Sequence, residues 1–520
     1  MKQFFTFILI LISFHSYLTA QYFSKIYDHE PKGQCQHYFV IPQGDSIYVL
    51  GDYIDSARAA IRPFRAIFDY EGNRITFDTL WDEKYKKHFN MSKSNILTTK
   101  NDSVIYFLTE RVIDDQSELE NYIIELNLHT AEILNSCYFK NEDIGFLYDL
   151  RYDMRSERLI AASFSFDQTN KIEILELNSN LELIKRIKVI DSNYTHIWPD
   201  FVQKNAEDYM IVGSSGQAPD LVGTRRLMRL ECDSVGKILR YKRLASSVPV
   251  ATWIYTNKYI HQRSDGDFVM TPTLLVKNID TNILNSNNAF PHPVRASPDF
   301  DTVRWELKMY SEPYLRLPRN FFQAMIPVNH DSAYIALGHD IDTLSGSCVL
   351  YKFSAVGDSL WYKRIIPGDA RRDSLSFVPS YHIAQSPGGG ILVVGSIHDE
   401  RINKIRAYMM YLDEEGCLVP GCNETTSSEQ VEKNRERLFR IHPNPVSEQL
   451  YLLSHYEGEE VIHLNFYTID GVLVGSRSYH NRKYDQVFWS LDDLNTGSYI
   501  VRITDHKGRV LQTEKLIIAR

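Results

Sequence analysis

The chain has 520 residues, which is room for one large domain and one small one, with 57 basic and 66 acidic residues and a formal net charge of −9. No basic run stands out, which argues against nucleic acid as a partner. The 32 Tyr, with 25 Gly and 19 Pro spread throughout, suit a β-rich protein with many turns, and the 6 Cys are too few for a disulfide scaffold of this length.

Met1–Ala20 carries one positive charge at Lys2, an apolar stretch Phe4–Ile12, and then smaller and polar residues. This is signal-peptide anatomy, with cleavage expected after Ala20. The apolar stretch is shorter than the ~20 residues a membrane span needs, and no other stretch is long and apolar enough. The mature protein is expected to be soluble or surface-attached.

Residues 21–422 read as a ring of repeats. Apolar runs ending in a small residue close at Gly51, Thr109, Ser163, Gly213, Thr271, Gly338 and Gly395, at intervals of 58, 54, 50, 58, 67 and 57 residues. Each run is preceded by a strand-like segment and a polar turn. A third strand and a turn follow, as in Phe64–Asn73, Leu227–Lys237 and Val349–Asp358. A fourth strand follows in most, as in ITFDTLW, ILRYKRL and SLWYKRI. Alternating apolar and polar residues favour strands over helices, and four short strands per period read as a seven-bladed β-propeller, with an array of β-sandwiches as the alternative. The seventh repeat, Phe377–Gly416, lacks a fourth strand. Tyr22–Tyr27 resembles the other fourth strands and is expected to complete that blade and close the ring. The fifth repeat is expected to carry the longest excursion, Asn278–Pro313, as a binding loop or a loop without a partner.

Cys417 and Cys422 lie in GCLVPGC, where Pro420 and Gly421 supply a tight turn. In an exported chain this predicts a disulfide. The spacing is not that of a zinc site. Cys35, Cys137, Cys232 and Cys348 are far apart in sequence and receive no pairing.

Asn423–Asn434 has almost no apolar residues and reads as an exposed tether within a linker over 423–436. From 437 to 520 the chain shows a Pro-Asn-Pro turn (Pro443, Asn444, Pro445), an Asp-Gly turn (Asp470, Gly471), the pattern Leu494, Gly497, Tyr499, Ile503, and a closing strand Lys515–Arg520. Strands are expected near Gln449–Leu453, Val461–Thr468, Val472–Tyr479, Gln486–Leu491, Tyr499–Thr504 and Val510–Ile518, forming a small immunoglobulin-like β-sandwich. In their order these motifs resemble the type A C-terminal sorting domain of the type IX secretion system of Bacteroidetes, with His442 standing where that family usually has Tyr. The resemblance implies delivery to the cell surface or medium. It also implies two partners, the outer-membrane translocon that reads the domain and a sortase-like peptidase that removes it.

Catalytic motifs are scarce. The sequence has no nucleophile elbow, phosphate loop, H-E-x-x-H or EF-hand loop, and no cofactor or metal site is expected. Ser297–Trp305, SPDFDTVRW, loosely resembles the Asp-box turn of sialidases, with Asp301 in place of Gly, and that turn is structural rather than catalytic. His292, between two prolines, reads as packing or solvent-facing. The expectation is a non-catalytic module that binds a protein or glycan. The alternative is a polysaccharide hydrolase or lyase with carboxylates gathered at the mouth of the channel.

Overall fold

A computed structural model describes residues 22–29, 33–55, 60–80, 89–90, 97–112, 119–140, 145–164, 171–190, 196–216, 226–244, 251–255, 260–276, 289–307, 321–340, 347–365, 367, 375–399, 404–418, 438–442, 444, 446, 449–454, 456, 458, 460–469, 471–481 and 486–519. Two compact units divide the chain, Met1–Cys422 and Asn423–Arg520. Among the described residues regular structure is all β, and no helix is long and apolar enough to cross a membrane. The signal segment, Cys422, Pro443, Pro445 and Asp470 lie outside the described residues.

The first unit is a propeller of seven antiparallel sheets. Blade 1 consists of Gln34–Gln43, Ser46–Asp55, Ala60–Phe68 and Arg74–Thr79. Blade 2 consists of Leu97–Asn101, Val104–Val112, Leu119–Asn127 and Ile133–Lys140, and blade 3 of Phe146–Asp153, Arg158–Phe164, Lys171–Leu177 and Leu183–Ile190. Blade 4 consists of His196–Asn205, Asp208–Gly216, Arg226–Cys232 and Ile238–Arg243, and blade 5 of Ile260–Gln262, Phe268–Met270, Val294–Ala296 and Val303–Glu306. Blade 6 consists of Phe321–Val328, Ala333–Asp340, Ser347–Ser354 and Ser359–Ile365. Blade 7 takes Ser380–Gln385, Ile391–Asp399 and Lys404–Leu412, and its outer strand is Phe23–Tyr27.

Apolar clusters join the sheets in cyclic order. Leu50 of blade 1 meets Phe107 of blade 2, and Leu108 of blade 2 meets Leu159 of blade 3. Ile174 meets Ile211 of blade 4, and Val212 meets Phe268 of blade 5. Val269 meets Tyr334 of blade 6, Leu350 meets Val393 of blade 7, and Met409 meets Val49 back in blade 1. Each blade's middle strands therefore bury both faces, one residue toward each neighbour. The run Ile391–Ile397 is buried throughout, so apolar-polar alternation is lost in the strands that mark the repeats.

The N-terminal strand closes the ring as expected. Phe23 pairs with Tyr411 and Tyr27 with Ala407, antiparallel. Its packing repeats that of ordinary outer strands. A Cβ on Gly357 would lie 2.8 Å from Trp305 of the preceding blade, and one on Gly416 2.9 Å from Trp361; one on Gly72 would lie 2.7 Å from Phe23. In each case the outer strand of one blade lies over the third-to-fourth turn of the next. Those three glycines have φ of 93°, 72° and 76°, so the turn favours glycine for its backbone as well as for the contact.

The fifth repeat departs from expectation. Asn278–Pro313 is not one excursion, because it contains the third and fourth strands of blade 5, Val294–Ala296 and Val303–Glu306. Three- and four-residue strands inside a polar stretch leave too short an apolar pattern to be seen. Ahead of them, Ala289–Pro291 joins a small separate sheet with Ala251–Tyr255 and Thr273–Val276. Within the segment Ser297–Trp305, Ser297–Thr302 form the turn between the two strands and Val303–Trp305 begin the second. The Ser297 amide donates to the Thr302 carbonyl over 2.8 Å, Trp305 donates to the Ala355 carbonyl over 2.9 Å, and Arg240 reaches Asp299 over 2.7 Å. The turn ties blade 5 to blades 4 and 6, a structural role. His292 is fully buried and bonds to Glu306 at 3.0 Å, so it belongs to the packing.

The second unit is a two-layer β-sandwich. One sheet holds Phe439–His442, Gln449–Ser454 and Gln486–Ser490. The other runs Leu473–His480, Val461–Thr468, Gly497–Thr504, Val510–Ile518. Leu450, Leu452, Ile462, Phe466, Val501 and Leu516 form its core.

Candidate functional site

Within each blade the first-to-second and third-to-fourth turns lie on one face of the ring. The second-to-third connections and the links between blades lie on the other. The first face is built of tight turns such as Asp69–Asn73, where Asp69 Oδ1 accepts from the amides of Glu71 (3.0 Å) and Asn73 (2.7 Å).

The inner strands carry a β-bulge near that face in five blades. The bulged residues are Tyr38, Tyr148, Asp200, Gln323 and Tyr381. Paired just before each bulge is one of the small residues that mark the repeats: Gly51, Ser163, Gly213, Gly338 and Gly395. The bulge swings an inner-strand carbonyl against the second strand. A Cβ on Gly51 would lie 2.0 Å from the Gln36 carbonyl oxygen, one on Gly213 2.0 Å from that of Trp198, and one on Gly395 2.2 Å from that of Pro379. The sequence period therefore records a backbone contact.

Around this level aromatic and amide side chains stand beside the carboxyl of Asp200. Tyr38 donates to Gln36 Oε1 and packs on Tyr381 with centroids 4.8 Å apart. Trp198, half-buried, packs on Phe164 at 5.5 Å. Below them Arg151 pairs with Asp149 at 2.8 Å and lies 4.0 Å over the Phe201 ring, while Asp149 also accepts from the Val202 amide at 2.7 Å. Burial pushes the Tyr381 phenol above its usual value, against the Ser396 hydrogen bond and with help from Asp52. These groups stack and hydrogen-bond.

Among the described residues, the carboxyls of Asp28, Asp69, Glu176, Asp265, Asp301, Glu460 and Asp505 are held below their ordinary values. For Glu176, burial pushes the carboxyl up, but hydrogen bonds from Lys204, Tyr209 and Arg158 outweigh it. Among the described residues no three His, Cys, Asp or Glu gather as a metal site.

Sequence reasoning missed the polar clamps between blades. Tyr209 of blade 4 donates to Glu176 of blade 3, Arg263 of blade 5 donates to Tyr334 of blade 6 at 2.5 Å, and Tyr48 of blade 1 meets His129 Nδ1 of blade 2 at 2.7 Å. The signal was present in the second strands, whose runs SIYVLG, DYMIVG and SAYIALG share a tyrosine.

In the sandwich, Asn444 Nδ2 donates to the Lys515 carbonyl (2.7 Å) and its Oδ1 accepts from the Ile517 amide (2.9 Å). Val446 continues the contact as a parallel bridge to Ile518. Gly471, at φ 89°, donates to the Thr468 carbonyl and forms the turn. Leu494 is in the core, Gly497 opens its strand, and Tyr499 donates to the Asn495 carbonyl at 2.7 Å. The motif residues that are described thus close turns and clasp the last strand.

Cys417 is buried in the turn that follows the third strand of blade 7, where its amide donates to Asp413 Oδ1 at 2.7 Å and Lys363 Nζ lies 2.9 Å from its sulfur. Cys422 is outside the described residues, so their pairing stands as a proposal. Cys35, Cys137, Cys232 and Cys348 are free thiols. Burial pushes Cys137, Cys232 and Cys348 up to about 12, which leaves them unreactive. Non-reduced peptide mapping of the native protein is expected to return a Cys417–Cys422 linked peptide, with those four cysteines alkylated only after denaturation. Alkylation of both Cys417 and Cys422 without reductant contradicts the bridge.

The first unit is thus a seven-bladed β-propeller closed by its N-terminal strand. Residues 440–519 match the Secretion system C-terminal sorting domain family. The chain is a propeller protein sorted by the type IX secretion system, and so secreted or displayed at the cell surface. No curated protein matches the chain. Among solved structures it is similar to the β-propeller domain of the Trilobed protease from Pyrococcus furiosus, at 8% identity and TM-score 0.39, over 72% of this chain and 93% of that one. It is also similar to Pyrococcus horikoshii acylaminoacyl peptidase, at 10% identity and TM-score 0.40, over 82% of this chain and 59% of the peptidase. A third is prolyl oligopeptidase B from Galerina marginata, at 6% identity and TM-score 0.37, over 71% of this chain and 47% of the enzyme. Likenesses this loose carry no argument about activity, and the ring is established by its own strand order and seams.

Proposed function

We propose that the propeller is a non-catalytic binding module for a protein or glycan, delivered to the surface by its sorting domain. The observation that carries this reading is the level of the bulges on the loop face. It presents phenol, indole and amide groups that stack and hydrogen-bond, together with the carboxyl of the bulged Asp200. On this reading the translocon recognises the sandwich and a sortase-like peptidase removes it, and the propeller acts after delivery.

The test is a screen of the purified mature chain against polysaccharides and surface proteins, read for retention and for product release together. Retention of a ligand with no new reducing ends or cleavage products is the expected result. Steady release of product would replace the reading with a hydrolase or lyase. Delivery is tested separately. A chain ending at Asn434 is expected to accumulate in the periplasm, and undiminished surface display of it would refute the sorting role.

A further inference from the structure

The closing seam between blades 7 and 1 contains a buried chain of hydrogen bonds that no apolar seam needs. His29, just beyond the N-terminal strand, and His37, on the inner strand of blade 1, face each other with their Nε2 atoms 2.7 Å apart. Arg74 Nη1 lies 2.9 Å from His29 Nδ1, and the Tyr408 carbonyl of blade 7 lies 3.2 Å from His37 Nδ1.

Only one set of tautomers satisfies all three contacts. A guanidinium only donates, so His29 Nδ1 is bare and its proton sits on Nε2. A carbonyl only accepts, so His37 carries its proton on Nδ1 and accepts at Nε2. Arg74 therefore donates to His29, His29 to His37, and His37 to Tyr408. Both rings are neutral and the chain has no place for another proton. A proton on His37 Nε2 would face the His29 N–H, and one on His29 Nδ1 would face the Arg74 N–H.

Among the described residues no carboxylate is free to face the rings. Phe64, Phe68, Phe77 and Tyr27 pack around the rings. Asp28 is taken by Lys404 and Arg406, at 2.9 and 2.8 Å. Asp69 is occupied by its turn amides, and Lys25 by the Glu71 carbonyl. The Cys35 thiol donates to the Tyr27 carbonyl at 3.2 Å, and Tyr27 donates to the Gly72 carbonyl at 2.9 Å. Among the described residues neither ring bonds to a carboxylate.

We propose that the His29–His37 contact is an acid-sensitive latch that releases the N-terminal strand from blade 7 when protonated. Burial, with Arg74 adding to it, lowers His29 to about 3, and burial followed by His29 lowers His37 well below its ordinary 6.5. His382, on the inner strand of blade 7, is lowered to about 4 by burial on the same seam. A released strand exposes the imidazoles, which then take protons near 6.5. Closure is thus at full strength above about pH 6.5 and weakens as the pH falls toward 3. Each exposed imidazole shifts the balance about tenfold per pH unit within that window.

Hydrogen exchange of the full mature chain tests the latch. From pH 7 to pH 5.5, after correction for intrinsic rates, protection of the Phe23–Tyr27 amides is expected to fall at least tenfold. Protection of Ile172–Leu177 in blade 3 should hold. In His29→Gln that pH dependence should weaken by about tenfold per unit while protection at pH 7 changes less. Exchange at imidazole C2 positions in the unaltered chain reads the same groups without any variant, and His29 and His37 should stay neutral while the strand is closed. Equal pH dependence in both strands, an unchanged profile in His29→Gln, or titration of both rings near 6.5 without strand release would each overturn the proposal.

Discussion

A mature chain beginning at Gln34 is expected to lose several kcal/mol of propeller stability relative to one beginning at Gln21, and to aggregate on heating. The shortened chain keeps three strands of blade 7 but leaves Lys404–Leu412 as an open edge, since Phe23–Tyr27 is its partner on that side. Phe23 is 7% exposed and sits on the blade 1 turn at Gly72. Removing one such buried aromatic costs about 3–5 kcal/mol by itself. The loss also strips Asp28 from Lys404 and Arg406 and uncovers the Met409 and Tyr411 face of blade 7. Unpaired backbone on an apolar strand is a template for association. Phe23→Ala, which keeps the strand but removes its anchor, is expected to cost about 3 kcal/mol. Differential scanning calorimetry decides it, and equal melting temperatures for the two chain lengths would contradict closure by this strand.

The fold was legible where sequence and backbone geometry meet at one residue. At Gly51, Gly213 and Gly395 an inner-strand carbonyl leaves no room for a Cβ, and Ser163 holds the same place in blade 3, so the recurring small residue marks a backbone position of the blades. The missing fourth strand of the seventh repeat was legible because every blade needs an outer strand, and only the N-terminal segment stood without a partner. The strands of blade 5 were not legible, because Val294–Ala296 and Val303–Glu306 are shorter than the window in which a period shows. In the middle strands the pattern itself changes. Met409 turns to blade 1 and Met410 to blade 6, so a run apolar at every position replaces alternation. The polar contacts were hidden for another reason. His29 and His37 are eight positions apart, but Tyr408, which completes their chain, is 371 positions from His37. Asn444 and Lys515 are 71 apart. One sequence carries no sign of such pairings until the topology brings the strands together. The motif Pro-Asn-Pro announced a turn, yet what the asparagine does is clasp the final strand.

Glu176→Ala is expected to cost about 3 kcal/mol. The carboxylate is completely buried on the third strand of blade 3. It receives Arg158 from its own blade and Lys204 from blade 4, each at 2.6 Å, together with the hydroxyl of Tyr209. Alanine leaves Tyr209 without its acceptor and two cations facing each other across the space. The estimate sits at the lower end for a broken buried pair because Arg158 is 37% exposed and can turn to water, whereas Lys204, at 16%, has less freedom. Glu176→Gln keeps an acceptor for Tyr209 but not the charge, and should fall between the two. The pH dependence has a definite sign. Because the folded carboxyl titrates below its ordinary 4.5, its contribution is complete above that value and disappears as the pH falls through the folded one. The stability difference between wild type and Glu176→Ala should therefore shrink in acid. Combining Glu176→Ala with Lys204→Met should recover part of the loss, since the methionine removes the stranded charge and keeps the packing over Tyr209. Urea unfolding of the four proteins measures each corner of that cycle. A cost for Glu176→Ala below 0.5 kcal/mol, or no recovery in the double variant, would show that the carboxylate is not what holds blades 3 and 4 in register.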